Sequence, residues 1–554
     1  MSKFTQEELE ILKQYVTDPE SNVFAVKGLA GIIGPVYARY SRAKGSFLET
    51  FLKEFIKEGQ LDPVKAKEVI ERILIAFGDD SVGELEGAHL SLEQISNLAT
   101  KEVEDRRIGG SPIEQSTRYV VYDQKDPPSH EATEGQASGR WRYLRPKEIM
   151  QSSLASEYEA IMDELFDTYA SLVEPMQEYY KKIKPIDQAE YDVLGKGEKQ
   201  KRADLTDEKD IKAFDRTYGF DIRSKTCDTI RVLLPASTLT NVGLFGNGRF
   251  FQNLISHLYT HELDEMNLLA EKAHDALGQI MPTFVKRAKR NEYLVSVRKN
   301  MQELADKILS NITPQEEQYV RLFLSSELDY YNLLLAQALY PYSRHPLHQI
   351  CDIIGKLSIP EKQKIFDAYA GDRKSRRDRP DRALEAGYPF SFDLIGDFGI
   401  YRDLQRHRML TQQRQLLNPY LGFADNDDIR IAGFQPKIDA IREKAERLYE
   451  KVKEECGRVA AQYAVLFGHR IRFTMGMNLR EAEHMTELRT TPQGHPSYRK
   501  VCQEMAVQIL EACPWAKETL KFVDYGQYTW ARADSEAKQR VRERELEERI
   551  MKQE

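Results

Sequence analysis

The feature that most limits what this chain can fold into is that it repeats itself. Residues 83–107, GELEGAHLSLEQISNLATKEVEDRR, fall onto residues 384–408, LEAGYPFSFDLIGDFGIYRDLQRHR, at a constant spacing of 301. Tyr40-Ser41-Arg42 meets Tyr342-Ser343-Arg344 at a spacing of 302. The stretch around Arg231, Pro235 and Asn247 has its second copy in RVAAQYAVLFGHRIRFTMGMNLREAEHMTELR, with Asn478 in the place of Asn247 at a spacing of 231. The spacing shortens by 70 (301 − 231) because the first copy carries an insertion, 124–215, whose part 183–215 is rich in Lys, Asp and Glu and reads as a surface segment. A long repeat ties both halves to one architecture, so it is settled before any element is assigned. Two homologous domains are expected. The first covers 1–290 with the insertion, a helical connection spans 291–330, the second covers 331–530, and a charged C-terminal helix over 531–554 reads as a solvated tail.

A length of 554 residues is too great for one core. No apolar run approaches the roughly 18 residues of a membrane span, and MSKFTQEELE lacks a signal-peptide apolar region, so a cytoplasmic protein without a membrane partner is expected. The net charge of −8 argues against a general nucleic-acid binder. Cys227, Cys351, Cys456, Cys502 and Cys513 include no CxxC pair, which indicates neither a disulfide framework nor a thiolate metal site.

Periodicity supplies the elements. Residues 1–80 read as mostly helical, with Leu48, Phe51, Leu52 and Phe55 on a core face and Asn22–Leu29 as a short strand. Leu92, Ile95, Leu98 and Val103 predict a helix over Ser91–Arg107. Gly109, Gly110 and Pro112 then break it, and TRYVVYD reads as a strand, with Glu114, Ser116 and Arg118 on one side of an extended segment. Leu154–Tyr180 predicts a long amphipathic helix. An apolar helix ends at Pro235, a Thr/Gly-rich turn holding Gly243, Gly246 and Gly248 follows, and another helix opens near Asn247. His257 and His261 lack a third ligand at a recognisable spacing, so no metal is expected.

The chemistry concentrates in Tyr401–Leu417, YRDLQRHRMLTQQRQLL. Arg402, Arg406, His407, Arg408 and Arg414 form a set of cationic donors suited to a phosphate or an electron-rich ring, with a solvated basic face as the alternative.

Several separated motifs make both halves resemble the flavin-dependent thymidylate synthase family (ThyX). Ser81-Val-Gly-Glu84 stands 23 residues before Arg107, and Glu114-Gln-Ser116-Thr-Arg118 follows. The second copy carries Arg406-His407-Arg408 with Thr411 where the family has Ser. Arg231 and Pro235 precede Asn247 and Arg249, and the second copy has Asn478, Arg480, His484 and Arg489 at the family spacing. The resemblance implies an α/β fold, each half a β-sheet packed with long α-helices.

Each copy departs from the pattern where the other keeps it. The first has Asp105 and Arg106 in place of the first two triplet residues and Leu258 in place of the terminal Arg, yet keeps Glu114, Ser116, Arg118 and Arg231. The second has Leu416, Asn418 and Gln462 in place of Ser116, Arg118 and Arg231, yet keeps the triplet and Arg489. The resemblance therefore implies a fused pseudo-dimer with one composite site. There dUMP would be methylated to dTMP with methylenetetrahydrofolate and NADPH as co-substrates and FAD as cofactor. It assigns Glu114, Ser116, Arg118, Arg231, Arg406 and Arg489 to the nucleotide, with Arg406 and Arg489 as catalytic candidates. Arg406, His407, Arg408, Asn478, Arg480, His484, Asn247 and Arg249 go to the flavin. A homodimer forming a pseudo-tetramer is the implied assembly. Two other readings stand beside this one: a related flavin- or nucleotide-binding protein that lacks synthase activity or acts on another pyrimidine, and a non-catalytic assembly or nucleic-acid-binding protein using Arg373–Arg382.

Overall fold

A computed structural model describes residues 4–29, 33–41, 44–62, 83–126, 139–316, 318–324, 329–375 and 377–551. Arg42 of the repeated tripeptide, Ser81 of the motif and residues 127–138 of the insertion lie outside them. The chain forms two compact units. One is made of Met1–Ile95, Ala99–Glu114 and Thr240–Glu292, the other of Ser96–Leu98, Gln115–Leu239 and Tyr293–Glu554. This is a division by compactness, and it leaves the sequence boundaries of the repeat as an expectation.

The smaller unit opens with the helices Gln6–Tyr15, Ile33–Tyr40 and Phe47–Phe55 around a core of Leu12, Val16, Val36, Phe47, Phe51 and Phe55. Ser46 starts the third helix through a capping box with Glu49, which satisfies N–H groups a helix start otherwise leaves open. Asn22–Leu29 contributes no strand beyond a single bridge, Val26 with Val16. The unit's three-stranded sheet has Leu239–Asn247 between Gly87–Ser96 and Gly110–Glu114.

Three local expectations are corrected here. Ser91–Arg107 is not one helix: it begins inside the strand Gly87–Ser96 and turns helical at Asn97–Glu104. Ala88, Leu90 and Leu92 are buried while His89, Ser91 and Glu93 are exposed, a period of two that the neighbouring strand rewards and that a helical reading of Leu92 and Ile95 hides. The Thr/Gly-rich turn is the strand Leu239–Asn247, its residues alternating in burial. TRYVVYD is a turn, closed by Tyr119 and Val120 N–H on the Ser116 carbonyl, while the strand stops at Glu114.

In the larger unit the sheet order is Val320–Leu324, Phe390–Asp397, Arg470–Met477, Thr411–Arg414, antiparallel throughout. Its last three strands repeat the three-stranded arrangement of the smaller unit. In both, the central strand runs through an asparagine into a helix, and that asparagine caps it: Asn247 accepts from Phe250 N–H at 2.8 Å, Asn478 from Glu481 N–H at 3.1 Å. Phe390–Asp397 is buried along its whole length, as expected for a strand covered on both faces.

Also within the larger unit, equivalent segments of the two copies pair about a local two-fold relation. Ala236 N–H donates to the Val465 carbonyl at 2.7 Å, and its mate Phe467 N–H donates to Leu234 at 2.8 Å. Asn97 and Leu98 N–H reach Thr238 and Ala236, while Phe398 and Gly399 N–H reach His469 and Phe467 in the same way, all at 3.0 Å. The long helices Ala155–Ile183 and Gln435–Cys456 run antiparallel beside this seam. Glu157, Glu164 and Ser171 meet Lys451, Lys444 and Lys437, so a step of seven forward on one helix is a step of seven back on the other. Such isologous pairing is the mark of a two-fold interface, here inside one chain.

Residues 183–215 hold a short hairpin, Glu190–Tyr191 with Gln200–Lys201, and the start of the helix Glu208–Ile230. The C-terminal helix Ala531–Met551 is not merely a solvated tail, because Ala533 and Ala537 are fully buried. Among the described residues no helix is long and apolar enough to cross a membrane.

Candidate active site

The helix Glu208–Ile230 and the short turn Arg231–Leu233 after it set Asp228 and Arg231 close together, and the turn after Glu114 presents Arg118 to them. Arg118 grips Asp228 with two bonds, Nε to Oδ1 at 2.9 Å and Nη2 to Oδ2 at 3.1 Å, and gives Nη1 to the Tyr498 hydroxyl at 3.1 Å. Burial opposes its charge, but Asp228, with Tyr498 and Asp403, holds the guanidinium firmly protonated. Ser116 turns its hydroxyl to the Arg118 backbone N–H at 3.2 Å.

Arg231 is 3 % exposed and stands 3.7 Å from Asp403, too far for a hydrogen bond, so their attraction is Coulombic. Its Nη2 is buried with no hydrogen-bond partner, and so is Asp403 Oδ2. Burial alone would raise the Asp403 carboxyl, yet Arg231, then Arg118, Arg406 and Arg489, hold it below its ordinary value. Two of these arginines come from the first copy and two from the second. Asp397, which caps the helix Phe398–Leu404, faces Arg231 too, but burial wins there and pushes its carboxyl up to about 6. His495 is pushed well below its ordinary value, first by burial and then by Arg231 and Arg118, and so stays neutral.

A second arrangement fixes Arg489. Its Nε–H donates to His407 Nε2 at 3.0 Å, so His407 carries its proton on Nδ1 and donates it to Glu481 Oε1 at 2.7 Å. Burial lowers the His407 pKa against the pull of Glu481, with Arg489 and His484 adding to the drop. A neutral imidazole thus orients the cation, as second-sphere groups orient a reactive one. Tyr498 lies between the two copies' arginines, its ring centroid 5.5 Å from the Arg118 guanidinium carbon and 5.8 Å from that of Arg489.

The remaining sequence-assigned residues separate into two groups. Arg406, Arg408, Arg480 and His484 are exposed, the last two one turn apart on the helix Leu479–Arg489. Asn478 is the cap of that helix. Glu114, Asn247 and Arg249 belong to the smaller unit. Glu114 is buried with Lys101 at 3.2 Å, Arg249 pairs with Glu84 at 2.6 Å, and Asn247 is a helix cap. Glu114 thus takes part in a buried ion pair.

The degenerate positions are closed by their own neighbours. Gln462, at the place equivalent to Arg231, accepts from Leu417 N–H at 3.0 Å and Arg414 Nη1 at 3.2 Å and donates to the Val459 carbonyl at 3.1 Å. Asn418 bonds the Leu416 carbonyl and Tyr420 N–H. Asp105 pairs with Arg106 at 2.9 Å, and Leu258 is core. His257 shares Glu102 with His261, at 3.1 and 4.0 Å. In the segment Arg373–Arg382, Asp378 accepts from the Lys374 and Ser375 backbone N–H groups and Asp381 pairs with Arg298.

Comparison with known proteins decides the family. The profile described as thymidylate synthase complementing protein matches residues 37–283 and 378–515, one stretch in each half. The chain belongs to the thymidylate synthase complementing protein family. Similar full-length relatives carry the name UPF0159 protein. That of Chlamydia muridarum is 35% identical over 559 residues, 97% of this chain and 99% of its own. Those of Chlamydia pneumoniae and Thermoplasma acidophilum are 34% and 30% identical, over 96% and 92% of this chain and 98% of each relative. In this member of the thymidylate synthase complementing family, sequence reasoning missed Asp228, Asp403, Glu481, His495 and Tyr498. Asp228 and Arg231 are three apart and Asp403 lies inside the basic stretch, so their spacing alone held the signal. Tyr498 had none.

Proposed function

We propose that this chain is an FAD-dependent thymidylate synthase that methylates dUMP to dTMP at one site built from both copies. The observation that supports it is that Arg118 and Arg489, one from each copy, lie against the same Tyr498 ring at 5.5 and 5.8 Å, with Arg231 standing 3.7 Å from Asp403. A buried, unpartnered Arg231 Nη2 is an expensive feature unless an anion completes it, and a nucleotide phosphate is such an anion. In this reading Arg118, Arg231 and Ser116 hold the phosphate. Arg489, aimed by neutral His407, stands at the uracil edge, where a fixed cation stabilises negative charge developing on the ring. The exposed donors Arg406, Arg408, Arg480 and His484 suit a cofactor carrying two phosphates and an electron-rich ring. Bound FAD would supply hydride transfer from NADPH to the one-carbon unit given by methylenetetrahydrofolate. The protein's own part is orientation and charge.

A second reading, a flavin- or nucleotide-binding protein without synthase activity, draws on the fact that Arg118 already has a bidentate carboxylate partner. One experiment separates them. Purified protein is given FAD, dUMP, NADPH and methylenetetrahydrofolate, and dTMP is measured. The proposal expects dTMP from the wild type and its loss in both Arg118→Ala and Arg406→Ala. Bound flavin without dTMP formation favours the second reading, and the absence of both flavin uptake and a response to dUMP refutes the two readings together.

A further inference from the structure

The family profile ends at residue 515, and the C-terminal helix that follows carries a cation to the cluster. Arg532 Nη2 donates to Asp228 Oδ2 at 2.6 Å, on the carboxylate that Arg118 grips, and its guanidinium carbon lies 5.4 Å from the Tyr119 ring centroid. The helix is anchored there. Ala533 and Ala537 are buried, Trp530 stands edge-on to Tyr180 at 5.7 Å, and Lys199 pairs with Asp534 at 2.8 Å. The Arg532 side chain is 11% exposed, and its Nη1 is buried without a hydrogen-bond partner, as is Arg231 Nη2.

Charge explains why a second arginine is needed. Asp228 alone would cancel Arg118 one for one, leaving little attraction for another anion. Arg532 on the same carboxylate restores a net positive charge to the group. A phosphate monoester carries about two negative charges near pH 7 and several acceptor oxygens. It is the class of ligand that would use the open Nη1 donor.

We propose that Arg532 is a ligand-binding residue of the composite site, supplying an N–H and the balancing charge to a phosphate monoester. This rests on reading the site as a nucleotide site, and the test keeps the two apart. Full-length, FAD-loaded wild type, Arg532→Lys and Arg532→Ala are titrated with dUMP, followed by the flavin spectrum. The alanine variant is expected to bind dUMP roughly 10- to 100-fold more weakly, the size of one lost bond to a charged group, with FAD affinity unchanged. The lysine variant should recover part of the loss. Hydrogen exchange at the start of the C-terminal helix should slow when dUMP is added to the wild type. Equal dUMP affinity in wild type and alanine variant overturns the proposal, and so does an equal loss of FAD and dUMP binding, which would mark a structural role. Inorganic phosphate, read by thermal shift, is the second probe. A wild-type response to phosphate but not to dUMP, lost in Arg532→Ala, keeps Arg532 as an anion ligand and refutes the nucleotide reading. Absence of a response to either overturns both.

Discussion

Replacing Arg231 by Gln would give the first copy the residue that its two-fold mate Gln462 already holds, so the backbone tolerates the side chain while the charge disappears. Arg231 stands 3.7 Å from Asp403, which at an effective dielectric of about 20 is an attraction of roughly 4 kcal/mol before desolvation is counted. Removing one partner of a buried pair leaves the other uncompensated, so a net loss of about 3 kcal/mol at pH 8 is expected. The loss should depend on pH in a definite direction. Without Arg231 the Asp403 carboxyl rises, and that of Asp397, already at about 6, rises further. Raised carboxyl values mean that the folded variant takes up more protons than its unfolded chain as pH falls, so the variant regains stability relative to wild type. Urea unfolding of both proteins at pH 8 and pH 5.5 is the assay, with the gap narrowing to about 1 kcal/mol at the lower pH. A gap of the same size at both values would refute the coupling of Arg231 to these carboxylates.

Acid should also weaken the wild type. Burial holds His345, His407, His469 and His495 below their ordinary value, so the folded state resists protons that the unfolded chain accepts. The stability they contribute is present above about pH 6.5 and lost as pH falls below it, offset in part by Asp397, which acts in the opposite sense. A melting temperature that stays level from pH 7.5 to 5.5 would contradict this. In the smaller unit, Lys101→Met removes the buried cation that faces Glu104 at 2.5 Å and Glu114 at 3.2 Å, and a loss of about 3–5 kcal/mol is expected. Chemical unfolding followed by circular dichroism checks it, and an unchanged midpoint would mean that the carboxylates are neutralised by other means.

The sequence alone determined that the chain is duplicated, that it belongs to the thymidylate synthase complementing protein family, and which residues each copy has kept or lost. Those facts lie in spacing, and spacing survives folding: the offsets of 301 and 231 reappear as equivalent strands, caps and paired loops. Local structure was less legible where two periods competed. Leu90 and Leu92 alternate while Leu92, Ile95 and Leu98 keep helical spacing, and a partner strand distant in sequence decides between them. Only the tertiary structure decided what surrounds the retained arginines. Asp228, Asp403, Tyr498 and Arg532 lie as much as 414 residues from Arg118 (532 − 118), and three of the four reach the cluster from outside both arginine motifs. A carboxylate becomes a counter-ion, or an arginine an open donor, only when burial removes water from around it, and no stretch of sequence records that by itself.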